Sequence, residues 1–148
     1  MSSNKTMVIS MRLPVKTGER LRRLASLHGW TSSDTSARLV EECLRRMEFA
    51  HLDFRDSAAG RQACIQGTSL AVWEVVMLAQ DYKNDAVKVS RHLGWPAAKV
   101  QAALNYAKAY PAEIQSALAE LQATDFAALS QMIPQATEFV VTEPKPKR

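Results

Sequence analysis

The stretch Met7-Val8-Ile9-Ser10-Met11-Arg12-Leu13-Pro14 alternates in character from one residue to the next. The alternation places Ile9, Met11 and Leu13 on one side of the segment and Val8, Ser10 and Arg12 on the other. A period of two predicts a half-buried β-strand. Pro14 ends this strand because proline has no N–H to donate to a neighbouring strand, and it suits the first turn of a following helix.

The predicted strand has no partner nearby, because residues 15–49 have helical patterns and contain no second strand. An unpaired strand leaves its N–H and C=O groups without hydrogen-bond partners, which is costly when one face is buried. The simplest partner is the same strand of a second copy. Two copies form an antiparallel ribbon with Ser10 and Arg12 on its open face, and such a ribbon fits the major groove of DNA.

Two helices are predicted after the strand. The first has Leu21, Leu24 and Ala25 at helical spacing and stops at Gly29. The second follows Trp30 and the sequence Thr-Ser-Ser-Asp at 31–34, which is rich in N-cap residues, and ends near Phe49. Its apolar stripe consists of Leu39, Val40, Cys43, Leu44 and Met47.

This order of strand, proline, helix, glycine and second helix resembles the ribbon-helix-helix repressors of the MetJ/Arc/CopG superfamily over residues 5–50. The resemblance implies a homodimer whose ribbon core is formed by Ile9, Met11 and Leu13. It also implies that Val8, Ser10 and Arg12 read DNA bases. The start of the second helix, at Thr31, Ser32 and Ser33, is implied to bind a DNA phosphate through its backbone N–H groups.

Physical chemistry supports these roles independently. Arginine makes a bidentate contact to guanine, serine bonds to either kind of base edge, and a helix N-terminus attracts anions. The structural alternatives are that Arg12 is a solvated strand charge and that Thr31 and Ser32 only cap a helix. The sequence also departs from the family pattern, with Val8 in place of a polar reader and Ser36 in place of an apolar core residue.

Charge is distributed unevenly along the 148 residues. Residues 1–50 hold nine Lys/Arg and five Asp/Glu, whereas residues 51–148 hold ten of each, so the net charge of +4 belongs to the first part. Basicity confined to the segment with the predicted ribbon favours a nucleic-acid partner. We expect a cytoplasmic, nucleoid-associated protein, because the chain has no signal peptide and no apolar run approaching the roughly 20 residues of a membrane helix.

The second part, residues 54–122, is predicted to be a small helical domain with a helix-turn-helix outline. Helical patterns occur near 72–81, 85–93, 96–110 and 112–121, after an irregular connector at 51–60 and a short extended piece with a turn at Gly67. A helix, a turn with glycine and a second helix form the helix-turn-helix outline. Trp73 and Trp95 are interpreted as packing residues.

Three motifs of this part resemble the domain-of-unknown-function 433 family of VapB-type antitoxins over residues 54–118. The motifs are Ile-Gln-Gly-Thr-Ser-Leu-Ala-Val at 65–72, Ala-Ala-Leu-Asn-Tyr-Ala at 102–107 and Pro-Ala-Glu-Ile at 111–114. Ser69, Ala71 and Tyr82 depart from the family's usual arginine, proline and glycine. The resemblance implies a small tri-helical domain for residues 54–122. It also implies an antitoxin whose partner is a PIN-like nuclease toxin encoded beside it.

Residues 123–148 are predicted to form a short C-terminal helix and a flexible tail. Thr124 or Asp125 caps the helix, which runs through Phe126, Leu129 and Met132. Residues 135–143 have β-character, and two interpretations stay open. They are part of a disordered end, or they add to a partner as a strand or arm.

The sequence therefore predicts a mainly α chain that acts as a DNA-binding repressor and type II antitoxin, as a homodimer or a dimer of dimers. It is not expected to be an enzyme, because no catalytic constellation is evident, and no metal or other cofactor is expected. Cys43 and Cys64 are interpreted as buried reduced thiols. The alternatives are a regulator of a plasmid or mobile element without a toxin, and a protein-interaction adaptor that never touches DNA.

Overall fold

The computed structural model describes residues 5–57, 60–123 and 131, and the chain divides into two compact units between Glu48 and Phe49. The described residues form six helices and one two-stranded antiparallel sheet, which confirms the prediction of a mainly α fold. The first unit contains α1 (Val15–His28) and α2 (Ser32–Glu48). The second contains β1 (Leu52–Ser57), β2 (Gly60–Ile65), α3 (Val72–Asp81), α4 (Ala86–Leu93), α5 (Ala97–Ala109) and α6 (Pro111–Ala123).

The two helices of the first unit begin and end where local chemistry predicts. Pro14 precedes α1, and its carbonyl accepts the N–H of Gly18 at 2.9 Å. Gly29 ends α1 in the left-handed conformation, at φ 66°, which glycine adopts without the Cβ penalty of other residues. Residues 5–14 contain no helix and pair with no strand among the described residues of the single chain. The intermolecular ribbon therefore stays a prediction.

The first unit has almost no core of its own. Among residues 5–48, only Ala25 and Thr35 are buried. The Thr35 hydroxyl satisfies its hydrogen-bonding need locally by donating to the carbonyl oxygen of Thr31 at 2.8 Å. A unit of this size with so little buried apolar surface lacks the main source of folding free energy.

The connector predicted for residues 51–60 is wrong, because most of it belongs to a β-hairpin. β1 and β2 pair antiparallel from Leu52 opposite Ile65 to Ser57 opposite Gly60. Asp56 and Arg61 face each other in this register and form an ion pair of 3.4 Å. Residues 58–59, between the two strands, lie outside the described residues. The fold prediction of one strand per chain thus overlooked a sheet in the second unit.

The described part of the second unit has four helices, which match the four helical patterns of the sequence, so the tri-helical domain implied by the resemblance is corrected. Its core is formed by side chains from both strands and all four helices, with Tyr106 as the largest fully buried side chain. The buried cluster consists of Leu52, Ala63, Ile65, Val72, Val75, Ala79, Val89, Val100, Ala103, Tyr106 and Ile114. Trp73 and Trp95 pack partly buried against this cluster, as interpreted from the sequence.

One prediction about the cysteines is wrong. Cys64 is buried in β2, but Cys43 is exposed on α2, because the described residues of one chain leave much of the apolar stripe of α2 exposed. Among the described residues, no helix is long and apolar enough to cross a membrane. The predicted helix through Phe126, Leu129 and Met132 and the predicted arm at 135–143 lie outside the described residues.

Candidate nucleic-acid interface

The N-terminal segment presents both of its predicted faces to solvent. The three proposed base-reading residues, Val8, Ser10 and Arg12, are all exposed, and Val8 is 91% exposed. The proposed ribbon-core residues are exposed as well: Ile9 by 74%, Met11 by 55% and Leu13 by 42%. The described residues of one chain therefore leave much of this apolar surface in water, although its transfer out of water is favourable.

The apolar stripe of α2 is uncovered in the same unit. Leu39, Val40, Leu44 and Met47 are exposed, with Met47 at 80%. These residues recur at helical spacing, so they form one continuous apolar face and are not scattered surface positions. Contiguous exposed apolar surface is common at protein interaction sites.

The start of α2 has the geometry of a capped helix N-terminus. Thr31 precedes the helix, and its side-chain Oγ1 accepts the backbone N–H of Asp34 at 3.0 Å. Its carbonyl accepts the N–H of Thr35 at 3.0 Å. The N–H groups of Ser32 and Ser33 belong to the first turn, which has no intrahelical acceptors, and both residues are exposed. Capping by Thr31 is thus observed, and these two residues remain accessible to an anion.

A stack of three side chains holds the turn before α2. The rings of His28 and Trp30 are stacked with centroids 4.3 Å apart, and the Arg38 guanidinium carbon lies 4.3 Å from the Trp30 ring centroid. Cation–π contact with tryptophan stabilises a guanidinium in this position. Arg38 consequently places a positive charge beside the residue that precedes Thr31. The sequence reading missed this contact, because nothing in the spacing of Trp30 and Arg38 indicates that they meet.

The second unit has an open groove between β2, α3 and α6. Its volume is about 470 Å³. The lining combines the apolar Trp73, Ile114 and Leu121 with the charged Arg61 and Glu120. Gln62 Oε1 accepts the Trp73 indole N–H at 2.8 Å, which fixes the orientation of the tryptophan at this wall. The sequence predicts a packing role for Trp73, not a base-stacking one. The groove also depends on β2, which pairs in a hairpin that the sequence did not predict.

The buried thiol of the second unit has no feature of a reactive cysteine. Burial raises the pKa of Cys64 above its ordinary value, and the nearby carboxylates of Asp53 and Glu74 act in the same direction, against the opposing charge of Arg55. A raised pKa keeps the thiol protonated and unreactive at neutral pH. Among the described residues, no group of three or more His, Cys, Asp and Glu side chains is placed to hold a metal ion.

The structure thus brings some predicted site residues together and leaves others separate. Thr31, Ser32 and Ser33 lie together at the start of α2. Ser10 and Arg12 lie in a segment that pairs with no strand among the residues that the structure describes. A comparison with protein-family models, curated proteins and solved structures found no significant match. The two family resemblances therefore rest on the quoted motifs alone.

Proposed function

We propose that this protein is a homodimeric DNA-binding repressor whose N-terminal segments pair into a ribbon. One observation carries this proposal: within residues 5–48, only Ala25 and Thr35 are buried, while Ile9, Met11 and Leu13 are all exposed. A second copy supplies both the missing strand partner and the missing apolar cover. Dimerisation is then part of the folding of the first unit.

In this dimer, Ser10 and Arg12 of both chains point from the open face of the ribbon into the major groove, with Val8 beside them. Arg12 contacts guanine, and Val8 contacts a thymine methyl group where one is present. The N–H groups at Thr31, Ser32 and Ser33 bind a phosphate and fix the register of the protein on the duplex. The net charge of +4 in residues 1–50 adds attraction to the phosphate backbone.

We further propose that the repressor is a type II antitoxin that represses its own operon, and that its second unit binds a PIN-like nuclease toxin. Support comes from the motif resemblance over residues 54–118 and from the groove beside Trp73, which offers apolar and charged groups to a protein partner. The alternative is a regulator of a plasmid or mobile element in which the second unit only drives further assembly. Co-purification with the product of a neighbouring nuclease gene supports the antitoxin, and its failure supports the regulator.

Replacing Arg12 with alanine tests the DNA-reading role. Arg12→Ala is expected to lower the affinity for the preferred base pair by roughly 1–3 kcal/mol while the dimer stays intact, because the side chain leaves the open face of the ribbon. The measurement is a binding titration on the DNA upstream of its own coding sequence, alongside sedimentation of the free protein.

Arg22→Ala is the matched control, because it removes the same charge from an exposed position on α1. This variant is expected to weaken binding only slightly and equally for all sequences. Equal operator affinity of the Arg12 variant and the natural protein would refute the assignment. A lack of steep salt dependence in the natural protein would favour the protein-interaction adaptor instead.

A further inference from the structure

The helix pair α4 and α5 in the second unit has a concentration of positive charge that the proposed ribbon does not use. Residues 86–109 contain Lys88, Arg91, Lys99 and Lys108 and no Asp or Glu, although residues 51–148 are neutral as a whole. The nearest acidic residue in the sequence is Asp85, which caps α4 by accepting the N–H groups of Val87 and Lys88. The compensating carboxylates are therefore outside this helix pair.

The two helices are joined by a three-residue turn, Gly94 to Pro96. Gly94 adopts the left-handed conformation at φ 67°, and the carbonyl of Ser90 accepts the N–H of Trp95 at 3.0 Å. Ser90 is buried, and Val89 of α4 and Val100 of α5 are fully buried in the core that both helices share. A short turn with glycine between two packed helices also occurs in helix-turn-helix DNA-binding units, where the second helix reads the major groove.

The outer side of α5 carries the side chains that such a reading helix needs. A stripe along this side consists of residues at intervals of three and four, namely Ala98, Gln101, Asn105 and Lys108. Three of them are polar, and Ala98 contributes a methyl group. All four are exposed, whereas Val100, Ala103 and Tyr106 on the inner side are fully buried. The orientation of this stripe is consequently fixed by the core and does not depend on a partner.

Two of these side chains support each other. The Gln101 Nε2 group donates a hydrogen bond to Asn105 Oδ1 at 2.9 Å. This bond leaves Gln101 Oε1 as an acceptor and Asn105 Nδ2 as a donor on the same exposed stripe. The major-groove edge of adenine offers the complementary pair, a donor at N6 and an acceptor at N7, which Asn and Gln recognise.

We propose that α5 is a second DNA-reading element, which enters a major groove so that Gln101 and Asn105 contact base edges, with a preference for adenine. Lys88, Arg91 and Lys108, all exposed, bind the flanking phosphates. Lys99 has a different role, because its Nζ donates to the carbonyl oxygen of Gln66 at 3.4 Å and so holds the turn after β2. This second contact does not depend on the ribbon, and the chain then reads DNA at two places.

The test is a selection from a library of random duplexes of about 40 base pairs with the full-length protein. Four proteins are compared: the natural chain, Gln101→Ala with Asn105→Ala, Arg12→Ala, and Gln115→Ala. Gln115 is the matched control because it is an exposed glutamine on a different helix, α6. We expect the natural chain and the control to enrich two blocks of preferred bases.

The double variant is expected to lose one block of preferred bases, with a roughly 5- to 150-fold lower preference for them. Arg12→Ala is expected to lose the other block. If the double variant keeps the natural consensus, the α5 assignment is overturned, whatever Arg12→Ala does. If only the double variant changes the consensus, the α5 assignment is supported and the assignment of base reading to the ribbon is refuted. Enrichment of no sequence by the natural chain would overturn both assignments and leave α5 as a protein-binding surface.

A second measurement, the salt dependence of DNA affinity, tests the phosphate contacts. Lys88→Ala with Arg91→Ala is expected to reduce the slope of log affinity against log salt by about 1 for each lost contact, without changing the preferred bases. Both residues are exposed, so the fold is expected to persist, and circular dichroism checks it. An unchanged slope in a folded variant would contradict the proposed position of α4 on the DNA backbone.

Discussion

The two units of the chain differ in how many side chains they bury. In the second unit, side chains from two strands and four helices enclose fully buried residues such as Ile65, Val75 and Tyr106. In the first, Ala25 and Thr35 are the only buried residues among 5–48, although its helices are well formed. Regular secondary structure therefore does not make a stable unit by itself. From this difference we expect the second unit to be stable within one chain, and we propose that a second copy covers the first.

The largest expected effect comes from placing a carboxylate in the predicted ribbon core. Ile9→Glu is expected to abolish the dimer at micromolar concentration and to unfold the first unit, because each chain would bury an unpaired charge at a cost of several kcal/mol. Sedimentation and circular dichroism measure the two effects.

Val8→Glu, one residue earlier, is the matched control for this change. A shift of one residue moves a strand side chain to the opposite face, so this variant is expected to remain dimeric. The comparison of neighbouring residues tests the register as well as the existence of the ribbon. A dimer with Ile9→Glu, or equal loss in both variants, would contradict the predicted alternation.

A large but more local effect is expected in the core of the second unit. Tyr106 is fully buried, its ring centroid lies 5.4 Å from that of Phe49, and its hydroxyl donates to the Glu113 carboxylate at 2.9 Å. Tyr106→Ala is expected to lower the free energy of unfolding of this unit by about 3–5 kcal/mol, because it leaves a cavity. Urea denaturation followed by tryptophan fluorescence measures the loss.

The control for this variant is Tyr106→Phe, which removes only the hydroxyl and is expected to cost about 0.5–1.5 kcal/mol. The second-unit transition should not depend on protein concentration in either variant. A concentration-dependent transition would show that the second unit also requires a partner, and the contrast between the units would be lost.

The sequence predicted features that depend on neighbouring residues and missed features that depend on residues farther apart in the chain. Helix ends were predictable because Pro14, Gly29, Gly94 and Pro111 act through their own backbone chemistry. The hairpin was not, because charged residues flank Phe54 in β1 and residues 58–59 are alanines, not the Asn-Gly or Asp-Gly that signals a tight turn.

Candidate site residues follow the same division. The Thr31 cap was predictable, because an N-cap acts on the next turn of its own helix. The contact of Arg38 with Trp30 and the groove beside Trp73 were not, because they depend on how separate elements pack. The ribbon residues fall outside both cases, since their predicted partner is in another chain.

The smallest expected effect concerns the start of α2. Thr31→Ala removes the oxygen that accepts the Asp34 N–H and is expected to lower the stability of the first unit by about 0.5–2 kcal/mol. Ser33→Ala keeps this cap and serves as the control. Thermal unfolding at one fixed protein concentration measures both, and an unchanged midpoint for Thr31→Ala would show that the cap does not stabilise α2.

The most direct test of the ribbon is an isotope-filtered NMR experiment on dimers assembled from labelled and unlabelled chains. The predicted result is a set of intermolecular contacts between residues 8–13 of one chain and residues 8–13 of its partner, in an antiparallel register with Ile9, Met11 and Leu13 on the covered face. Contacts of these residues only within their own chain, or a monomer throughout, would contradict the account.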